Sequence, residues 1–193
     1  MDDHEGMSAW RAARTFQELC ELGARFLEDE PLGFPGWLPG ELDDESDELA
    51  PLLARAQRAG FLTLASQPGS APEPGADGRL ERRRAFVFGF ASGTLAKQLL
   101  QACADASLLS ADFGAQESGG EAWPVAERAQ QAFLLVGDGQ GPAELEIFAD
   151  ALGPGPALDA LRQTRYLVLA DPEWGPSTRL WEVLANAIAS QAG

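Results

Sequence analysis

Near the start of the chain, apolar residues recur every three to four positions, which is the spacing of an amphipathic helix. The pattern predicts a helix from Thr15 to about Glu28. Thr15 and Glu18 have the spacing of a capping box, in which each side chain accepts a hydrogen bond from a backbone N–H at the helix start. A second amphipathic segment follows and ends at Gly60, a residue type that commonly ends helices. Together the two segments predict a helical hairpin over residues 15–59.

Farther along the chain, short apolar or alternating runs predict strands, and amphipathic runs between them predict helices. The strands are predicted at residues 61–66, 85–90, 107–111, 132–136 and 165–170, and the helices at residues 94–106, 142–152, 156–163 and after Ser177. Residues 67–80 are rich in Pro and Gly and predict a long loop. Residues 114–130 predict a loop with room for one helix.

The alternation of helices and strands favours an α/β fold. We expect a layered single domain with a mainly parallel or mixed sheet of four to five short strands. Helices would cover both faces, with the N-terminal helical hairpin on one side. Residues 85–111 and 132–170 would each form a strand–helix–strand crossover unit. Residues 1–14 lack a pattern and are predicted as a flexible N-terminal tail, so that residues 15–193 form the domain.

Length and charge narrow the class of protein. The chain has 193 residues, enough for one domain of ordinary size. Its 30 Asp and Glu against 14 Lys and Arg give a formal net charge of −16. Such a chain repels the phosphates of nucleic acids and of anionic lipids, so we expect neither nucleic acid nor membrane as a partner. No apolar run approaches the roughly 20 residues of a membrane span, and the acidic N-terminus does not resemble a signal peptide, which predicts a cytoplasmic protein.

Negative charge is concentrated just before the second predicted helix. Six of the eight residues 41–48 are carboxylates: Glu41, Asp43, Asp44, Glu45, Asp47 and Glu48. One interpretation is a solvated, solubilising surface. The other is an inhibitor or mimic that presents carboxylates to a basic partner.

The amino-acid types limit the chemistry that the chain can perform. His4 is the only histidine and lies in the predicted tail. This argues against a Ser–His or Cys–His catalytic pair and against a metal held by histidine. Cys20 and Cys103 each lie among apolar residues on a predicted helix, so we interpret both as buried, reduced thiols. We expect no metal and no cofactor.

Polar residues follow several of the predicted strands, and open α/β sheets bind ligands at the carboxyl ends of their strands. The candidates at these ends are Ser66 and Asp171 as catalytic groups, and Thr63, Gln67, Asp112, Glu173 and Trp174 as ligand-binding groups. A glycine-rich loop at residues 137–141 also follows a strand, but it lacks the spacing and the Lys of a phosphate-binding loop. An ordinary set of polar turns is the alternative interpretation.

Arg82, Arg83 and Arg84 form the one basic cluster of the sequence. Because side chains alternate along a strand, Arg82 and Arg84 are predicted on the same face. Two roles stay open for this pair. They bind an anionic group through bidentate hydrogen bonds, or they neutralise the acidic helical hairpin.

Two motifs carry a resemblance to a known family. Residues 60–69 have the pattern G-F-x-T-x-x-S-Q-P-G and precede an Arg-rich start of a Phe-containing strand. Residues 171–175 have the pattern D-P-x-W-G and precede Leu180-Trp181. Over most of residues 10–190 the sequence resembles a family of small uncharacterised actinobacterial proteins. The resemblance implies neither an activity nor assigned site residues.

Two functional hypotheses follow from these features. The first is a small-ligand site at the carboxyl ends of the strands, in a binding protein or in an enzyme that acts on an amide-, nucleoside- or sugar-like molecule without histidine chemistry. The second is an acidic interaction protein, of immunity or regulatory-inhibitor type, that docks a basic protein. A cleft that holds Ser66, Gln67 and Asp171 would favour the first, and a flat surface rich in carboxylates would favour the second.

Overall fold

A computed structural model describes residues 3–36, 48–75 and 77–190 of the protein. The helices in these ranges are α1 (Asp3–Ala12), α2 (Phe16–Leu27), α3 (Ala50–Arg58), α4 (Gly93–Asp105), α5 (Gly141–Leu152), α6 (Pro156–Leu161) and α7 (Arg179–Ala189). The strands are β1 (Phe61–Gln67), β2 (Ser70–Pro74), β3 (Leu80–Arg83), β4 (Phe86–Ala91), β5 (Leu109–Gly114), β6 (Trp123–Arg128), β7 (Gln131–Val136) and β8 (Arg165–Ala170).

The strands form two four-stranded sheets, and the strand pairs in both are antiparallel. Sheet 1 has the strand order β1-β4-β8-β5, and sheet 2 has the order β2-β3-β6-β7. The fold is a mixture of helices and sheets, but the expectation of one mainly parallel or mixed sheet of four to five strands is wrong.

A long bent hairpin explains the antiparallel arrangement. β1 continues into β2 after Pro68 and Gly69, and β3 continues into β4 after Arg84 and Ala85. The pair β1–β4 is the base of this hairpin in sheet 1, and the pair β2–β3 is its tip in sheet 2. A hairpin reverses the chain direction, so its strands pair antiparallel. The predicted crossover units fail for a related reason, since β8 lies between β4 and β5, and β7 and β8 belong to different sheets.

The sequence pattern does not predict three of the strands. β2 lies within the predicted loop of residues 67–80, β3 begins at the last residue of that loop, and β6 lies within residues 114–130. β2 contains Pro72 and Pro74 and is an edge strand that is mostly exposed. Proline is tolerated at a sheet edge, where its missing N–H breaks no ladder bond, and an exposed strand needs no alternation of apolar residues. The sequence signal for these strands is therefore weak.

Sheet 1 is buried on both faces. One face, which includes Phe86, Phe90 and Tyr166, packs with residues of α1, α2, α5 and α6 in one core cluster. The other face, which includes Val87 and Leu167, packs with residues of α3, α4 and α7 in a second core cluster. Sheet 2 contributes Val125 and Val136 to the first cluster and is otherwise far more exposed.

The N-terminal segment that was expected to be a flexible tail contains α1, which is docked on the first core cluster. Trp10 is buried, and its indole N–H donates to the carbonyl of Gly33 at 2.7 Å. Its ring packs edge-on against Phe34, with centroids 5.2 Å apart. Burial of this large aromatic side chain helps to anchor α1, because it removes a large apolar area from water.

The predicted capping box and helical hairpin are both present. The Glu18 N–H donates to Thr15 Oγ1 at 3.2 Å, and the Thr15 N–H donates to Glu18 Oε2 at 3.0 Å. α2 and α3 are linked by Arg58, whose guanidinium bonds Glu21 (3.1 Å) and Glu28 (2.5 Å). Carboxylates of the hairpin are thus neutralised by its own arginine.

Cys20 and Cys103 are free and buried, as predicted. Burial raises the pKa of the Cys103 thiol to about 12. No helix in the described ranges has the length and apolar composition needed to cross a membrane. The acidic residues 41–47 lie outside the described residues, and so does the side chain of His4.

Candidate ligand-binding site

The carboxyl ends of β1 and β8 lie at the same edge of sheet 1. Both strands pair antiparallel with β4, so they run parallel to each other although they are not neighbours. Phe86 of β4 lies opposite Gln67 on one side and opposite Ala170 on the other. Ser66, Gln67 and Asp171 therefore come to one edge, as the strand-end argument predicts, even though the sheet is antiparallel.

The loop of residues 171–177 crosses the joint at which the bent hairpin passes from sheet 1 to sheet 2. Its backbone N–H groups bond both chains of the hairpin: Asp171 to the Ala85 carbonyl (2.9 Å), Gly175 to the Arg83 carbonyl (2.9 Å) and Ser177 to the Pro68 carbonyl (3.2 Å). The loop is thus held against the joint by main-chain hydrogen bonds, which do not depend on its side chains.

Gly69 is the residue that allows this close approach. A Cβ atom at Gly69 would lie 2.1 Å from the carbonyl oxygen of Gly175, and the φ angle of Gly69 is +84°. Both the space and the backbone conformation therefore exclude other residues. The Pro-Gly and Trp-Gly pairs of the two sequence motifs meet at this contact.

Asp171 is buried and its carboxylate is surrounded by donors. Oδ1 accepts from the Glu173 N–H at 2.9 Å, and Oδ2 accepts from the Ser177 hydroxyl at 2.5 Å. Arg179 donates to both oxygens. Burial is the largest influence on the pKa of Asp171 and would raise it, but these hydrogen bonds together outweigh burial and lower the pKa. The geometry describes an ionised carboxylate that organises the loop.

Arg82, Arg84 and Trp174 form an arginine–tryptophan cluster beside the joint. The Cζ atoms of Arg82 and of Arg84 each lie 4.3 Å from a ring centroid of Trp174. Arg82 is neutralised across the sheet by Glu127, with Nη2 and Oε2 2.7 Å apart. Arg82 therefore neutralises a carboxylate of β6 in sheet 2 and not a carboxylate of the helical hairpin.

Arg84 differs from Arg82 in having no carboxylate within ion-pair distance in the part of the chain that the structure describes. Its Nη1 donates to the carbonyl of Pro124 at 3.0 Å, and its Nε is buried without a hydrogen-bond partner there. Burial is the main influence on the pKa of Arg84 and lowers it; the nearby carboxylates of Glu127 and Asp171 oppose this shift, and Arg82 adds to it. A partly desolvated guanidinium with unused donors is well suited to an anionic group.

A cavity of about 460 Å³ adjoins this cluster on sheet 2. Its lining residues are Pro72, Leu80, Glu81, Arg82, Glu127, Ala129 and Gln130. The volume falls within the range of small-molecule pockets, roughly 300–1,000 Å³. A second cavity of about 670 Å³ lies between Gln17, α3 and α7 and contains none of the predicted site residues.

Ser66 and Gln67 lie on opposite faces of sheet 1. Ser66 pairs with Val87, which belongs to the second core cluster, and Gln67 pairs with Phe86, which belongs to the first. Directly paired residues share a face of the sheet. Arg84 precedes Phe86 by two residues, so alternation places Gln67 and Arg84 on the same side.

The Ser66 hydroxyl has no hydrogen-bond partner among the described residues, and the side chain is half-buried. It is therefore available to a ligand or to water. None of the charged groups described above bonds to it, so its role as a nucleophile stays a prediction.

Three other predicted site residues, Thr63, Asp112 and Glu173, lie away from the edge where β1 and β8 end or at its margin. Thr63 is buried, and its hydroxyl accepts from the Gln57 amide at 3.2 Å. Asp112 lies toward the other end of β8 from Asp171, because β5 is antiparallel to β8. Its carboxylate accepts a hydrogen bond from Arg165 Nε at 2.7 Å. Glu173 is exposed and lies 3.6 Å from Arg179.

The glycine-rich loop at residues 137–141 also lies away from the joint. A Cβ atom at Gly141 would lie 3.1 Å from Cβ of Tyr166, near the beginning of β8. Asp171 follows the other end of that strand. The carboxyl ends of strands meet only where the strands run the same way in one sheet. Asp112 lies apart because β5 runs antiparallel to β8, and this loop lies apart because β7 belongs to sheet 2.

Sequence reasoning did not find four contributors to the site. Glu127 and Pro124 lie on β6, which the pattern did not predict as a strand. Ser177 was identified only as a helix cap, a role it also fills by accepting from the Leu180 N–H at 3.3 Å. Arg179 follows Asp171 by eight residues and meets it only because the loop folds back. These pairings are tertiary, and residue spacing gives no signal for them.

The chain belongs to the family described as a domain of unknown function, DUF6919, whose family model matches residues 5–191. The matched region includes both sequence motifs and every predicted site residue. This agrees with the resemblance to a family of uncharacterised proteins. No curated protein matches the chain.

Proposed function

We propose that the protein binds a small ligand with an anionic group, of the amide, nucleoside or sugar class, at the edge where β1 and β8 end. The edge site is defined by Gln67, Arg82, Arg84 and Trp174. The single observation that carries the proposal is Arg84, a partly buried cation with no carboxylate partner in the described ranges and with unused N–H donors.

A partly buried arginine with no carboxylate at ion-pair distance in the described ranges costs free energy, and an anionic ligand that pairs with the guanidinium offsets that cost. A phosphate or carboxylate of the ligand would accept hydrogen bonds from the Nη N–H groups of Arg84 that bond no described residue, whereas the buried Nε is out of its reach. Trp174 packs on the guanidinium and fixes its plane, which favours planar, bidentate recognition.

Polar side chains of the protein that suit the neutral part of the ligand lie on the same side. The Gln67 amide both donates and accepts, which suits an amide, a base edge or a sugar hydroxyl. The cavity of about 460 Å³ beside Arg82 is large enough for the remainder of such a molecule. Its Arg82–Glu127 pair offers one donor and one acceptor group.

Binding is better supported than catalysis. Asp171, the first candidate for a catalytic base, is held by Arg179, Ser177 and the Glu173 N–H. A carboxylate so stabilised in its ionised form is a weak base. An enzyme at this site would rely on Ser66 or on groups of the ligand, and histidine chemistry would have no part in it.

The test is calorimetric titration of the protein with a panel of compounds that share an anion and differ in the neutral part. Nucleoside monophosphates, sugar phosphates and N-acyl amino acids are suitable, with the matching uncharged nucleosides and sugars beside them. Binding of an anionic member, and loss of at least tenfold in affinity with its uncharged counterpart, is the expected result.

Arg84→Gln is the diagnostic variant, because it removes the charge and keeps a polar side chain. Arg162→Gln is the matched control, since Arg162 pairs with Asp159 of α6 at the surface, away from the edge site. We expect Arg84→Gln to abolish binding and Arg162→Gln to leave it unchanged. Equal affinity of the two variants for the anionic compound would overturn the assignment of Arg84.

We also infer the source of the protein, its cellular location and the partners that it does not bind. Abundant Ala, Gly and Arg with a single Lys are typical of GC-rich genomes, which supports an actinobacterial source. Two free buried thiols fit a reducing compartment, which supports a cytoplasmic location. Neither nucleic acid nor a membrane is proposed as a partner, because the net charge of −16 opposes both.

A second candidate function is the acidic interaction protein. Glu21, Glu28 and Glu30 are paired with arginines of the helical hairpin, so they are not free for a basic partner. The carboxylates of residues 41–48 are the remaining concentrated source of charge. Replacing Asp43, Asp44 and Glu45 by Asn or Gln should abolish salt-sensitive capture of a basic protein, and undiminished capture would reject this function for the segment.

A further inference from the structure

Leu80, Arg82 and Arg84 form a stripe along β3 and its extension. They lie at every second position, so their side chains are on one face, with about 7 Å along the strand from each to the next. The stripe begins with an apolar group, continues with the ion pair of Arg82 and Glu127, and ends with a cation that has no carboxylate at ion-pair distance in the described ranges. A ligand that lies along it needs an apolar end, a polar middle and an anionic end.

Leu80 is the apolar end of the stripe. Its side chain is 60% exposed, more than any other large hydrophobic residue in the described ranges. Together with Pro72 and Ala129 it gives the cavity of about 460 Å³ its apolar lining. A ligand that covers Leu80 removes this apolar surface from water, which favours binding in proportion to the area covered.

The charged residues that line the cavity already have ionic partners. Glu81 Oε1 lies 2.6 Å from Arg128 Nη2, and Glu127 Oε2 lies 2.7 Å from Arg82 Nη2. A sugar or a nucleobase needs several donors and acceptors, and these ion pairs leave it few. A single amide needs only one of each. Arg82 Nη1, which bonds no described residue, would donate to the amide carbonyl, and Glu127 would accept from the amide N–H.

The balance of charges at the joint favours one negative charge on the ligand. The charge of Arg82 is balanced by Glu127, and that of Arg179 is balanced by Asp171. Arg84 has no such partner in the described ranges, so one carboxylate of the ligand would complete the balance. The second charge of a phosphate monoester would instead meet the field of Glu127 and Asp171 in a chain of net charge −16.

We propose that the ligand of the edge site is an N-acyl amino acid, whose carboxylate binds Arg84, whose amide lies at the Arg82–Glu127 pair and whose acyl chain covers Leu80. The order of acyl chain, amide and carboxylate in such a molecule is the order of the stripe. This inference rests on the proposed function and narrows it to the amide class. Nucleoside phosphates and sugar phosphates share the anion but have no apolar end for Leu80.

Calorimetric titration of the wild-type protein with N-acetylglycine, N-hexanoylglycine and N-octanoylglycine tests the acyl chain. Each CH₂ group that binding removes from water strengthens affinity by up to about fourfold. N-Hexanoylglycine is therefore expected to bind at least tenfold more tightly than N-acetylglycine. N-Hexanoylglycinamide lacks the charge, and hexyl phosphate lacks the amide and carries a second charge. Both should bind at least tenfold more weakly than N-hexanoylglycine.

Leu80→Gln is the diagnostic variant, and Ile147→Gln is its matched control. Ile147 lies on α5, does not line the cavity and is also an exposed large apolar residue. We expect Leu80→Gln to reduce the difference between N-hexanoylglycine and N-acetylglycine to less than threefold and Ile147→Gln to keep it. Thermal unfolding verifies that both variants are folded, and the chain-length series on the wild type decides the question by itself if one is not.

Failure of this inference is distinguishable from failure of the proposed function. If Arg84→Gln abolishes binding but affinity does not depend on acyl length, the N-acyl amino acid is wrong and the anion site stands. The same holds if only nucleoside or sugar phosphates bind, or if hexyl phosphate binds more tightly than N-hexanoylglycine. A tenfold difference that persists in Leu80→Gln would overturn the placement of the acyl chain. Absence of binding by every anionic compound would overturn the inference and the proposed function together.

Discussion

The guanidinium of Arg84 and the indole of Trp174 are in contact, with 4.3 Å between the Arg84 Cζ atom and a Trp174 ring centroid. Arg84 also forms a β-bridge with Gly175, the residue after Trp174. The two residues join the bent hairpin to the loop that follows β8. A side-chain contact and a main-chain contact thus fix the same junction.

Trp174→Ala is expected to destabilise the protein by about 1–2 kcal/mol, because it removes contacts with two guanidinium groups and a partly buried ring. Trp174→Phe keeps an aromatic ring and should lose about half as much. Urea denaturation monitored by circular dichroism measures both values. A Trp174→Ala variant as stable as the wild type would mean that the ring does not brace the junction.

Asp171→Asn is expected to lower the free energy of unfolding by about 2 kcal/mol at neutral pH. The substitution removes a buried charge that Arg179 and Ser177 bond, and hydrogen bonds to charged groups contribute about 1.5–3 kcal/mol. Part of the contribution is discounted because Arg179 is partly exposed. Chemical denaturation gives the value.

The same residue predicts a pH dependence. The pKa of Asp171 is lowered in the folded protein, so its contribution is fully present above the pKa of an unfolded Asp and is lost as the pH falls through the folded pKa. We expect the stability difference between the wild type and Asp171→Asn to shrink from pH 6 toward about pH 2. A constant difference across this range would contradict the assigned ionisation.

Gly69→Ala is expected to cost more than about 3 kcal/mol, whereas Gly153→Ala should cost about 1–3 kcal/mol. Both glycines have a positive φ angle, +84° and +71°, so both substitutions strain the backbone. Only at Gly69 would the new Cβ meet a backbone carbonyl, that of Gly175 at 2.1 Å, while Gly153 faces open space. Thermal unfolding of the two variants side by side isolates the steric effect. Equal losses would show that the hairpin and the loop can move apart without cost.

Much of the local structure could be predicted because it depends on short-range patterns. The capping box at Thr15, the strand at residues 165–170 and the burial of both cysteines all follow from residues close in sequence. The sequence predicts that Ser66 and Asp171 lie at the same edge, although the parallel sheet assumed for that prediction is absent. Polar residues that follow two strands meet whenever those strands run in the same direction. β1 and β8 do so without being neighbours.

The rest depends on tertiary pairing that leaves little trace in sequence. β2, β3 and β6 are short and partly exposed, so neither alternation nor β-branched residues mark them. The bent hairpin could not be predicted because these strands were not predicted. The antiparallel direction of the strands depends on the hairpin, so it could not be predicted either. The partners of Asp171 and Arg84, namely Arg179 and Pro124, meet them only through that topology.

The turn between β6 and β7 offers a stabilising substitution. Ala129 and Gln130 connect the two strands and have φ angles of +49° and +66°. Consecutive positive values are typical of a type I′ turn, which matches the twist of a hairpin and favours Asn-Gly. Left-handed backbone costs an ordinary residue roughly 1–2 kcal/mol, and neither Ala nor Gln relieves that cost.

The double variant Ala129→Asn, Gln130→Gly should therefore raise the free energy of unfolding by about 1 kcal/mol, since part of the relieved strain is lost to the flexibility of glycine in the unfolded chain. Thermal and urea unfolding measure the gain at a protein concentration low enough to exclude association. Ala143→Asn is a suitable control, because it places the same residue at an exposed position of α5 and should be neutral or slightly destabilising. An unchanged or lower stability of the double variant would show that the strand pair, and not the turn, sets the geometry of this hairpin.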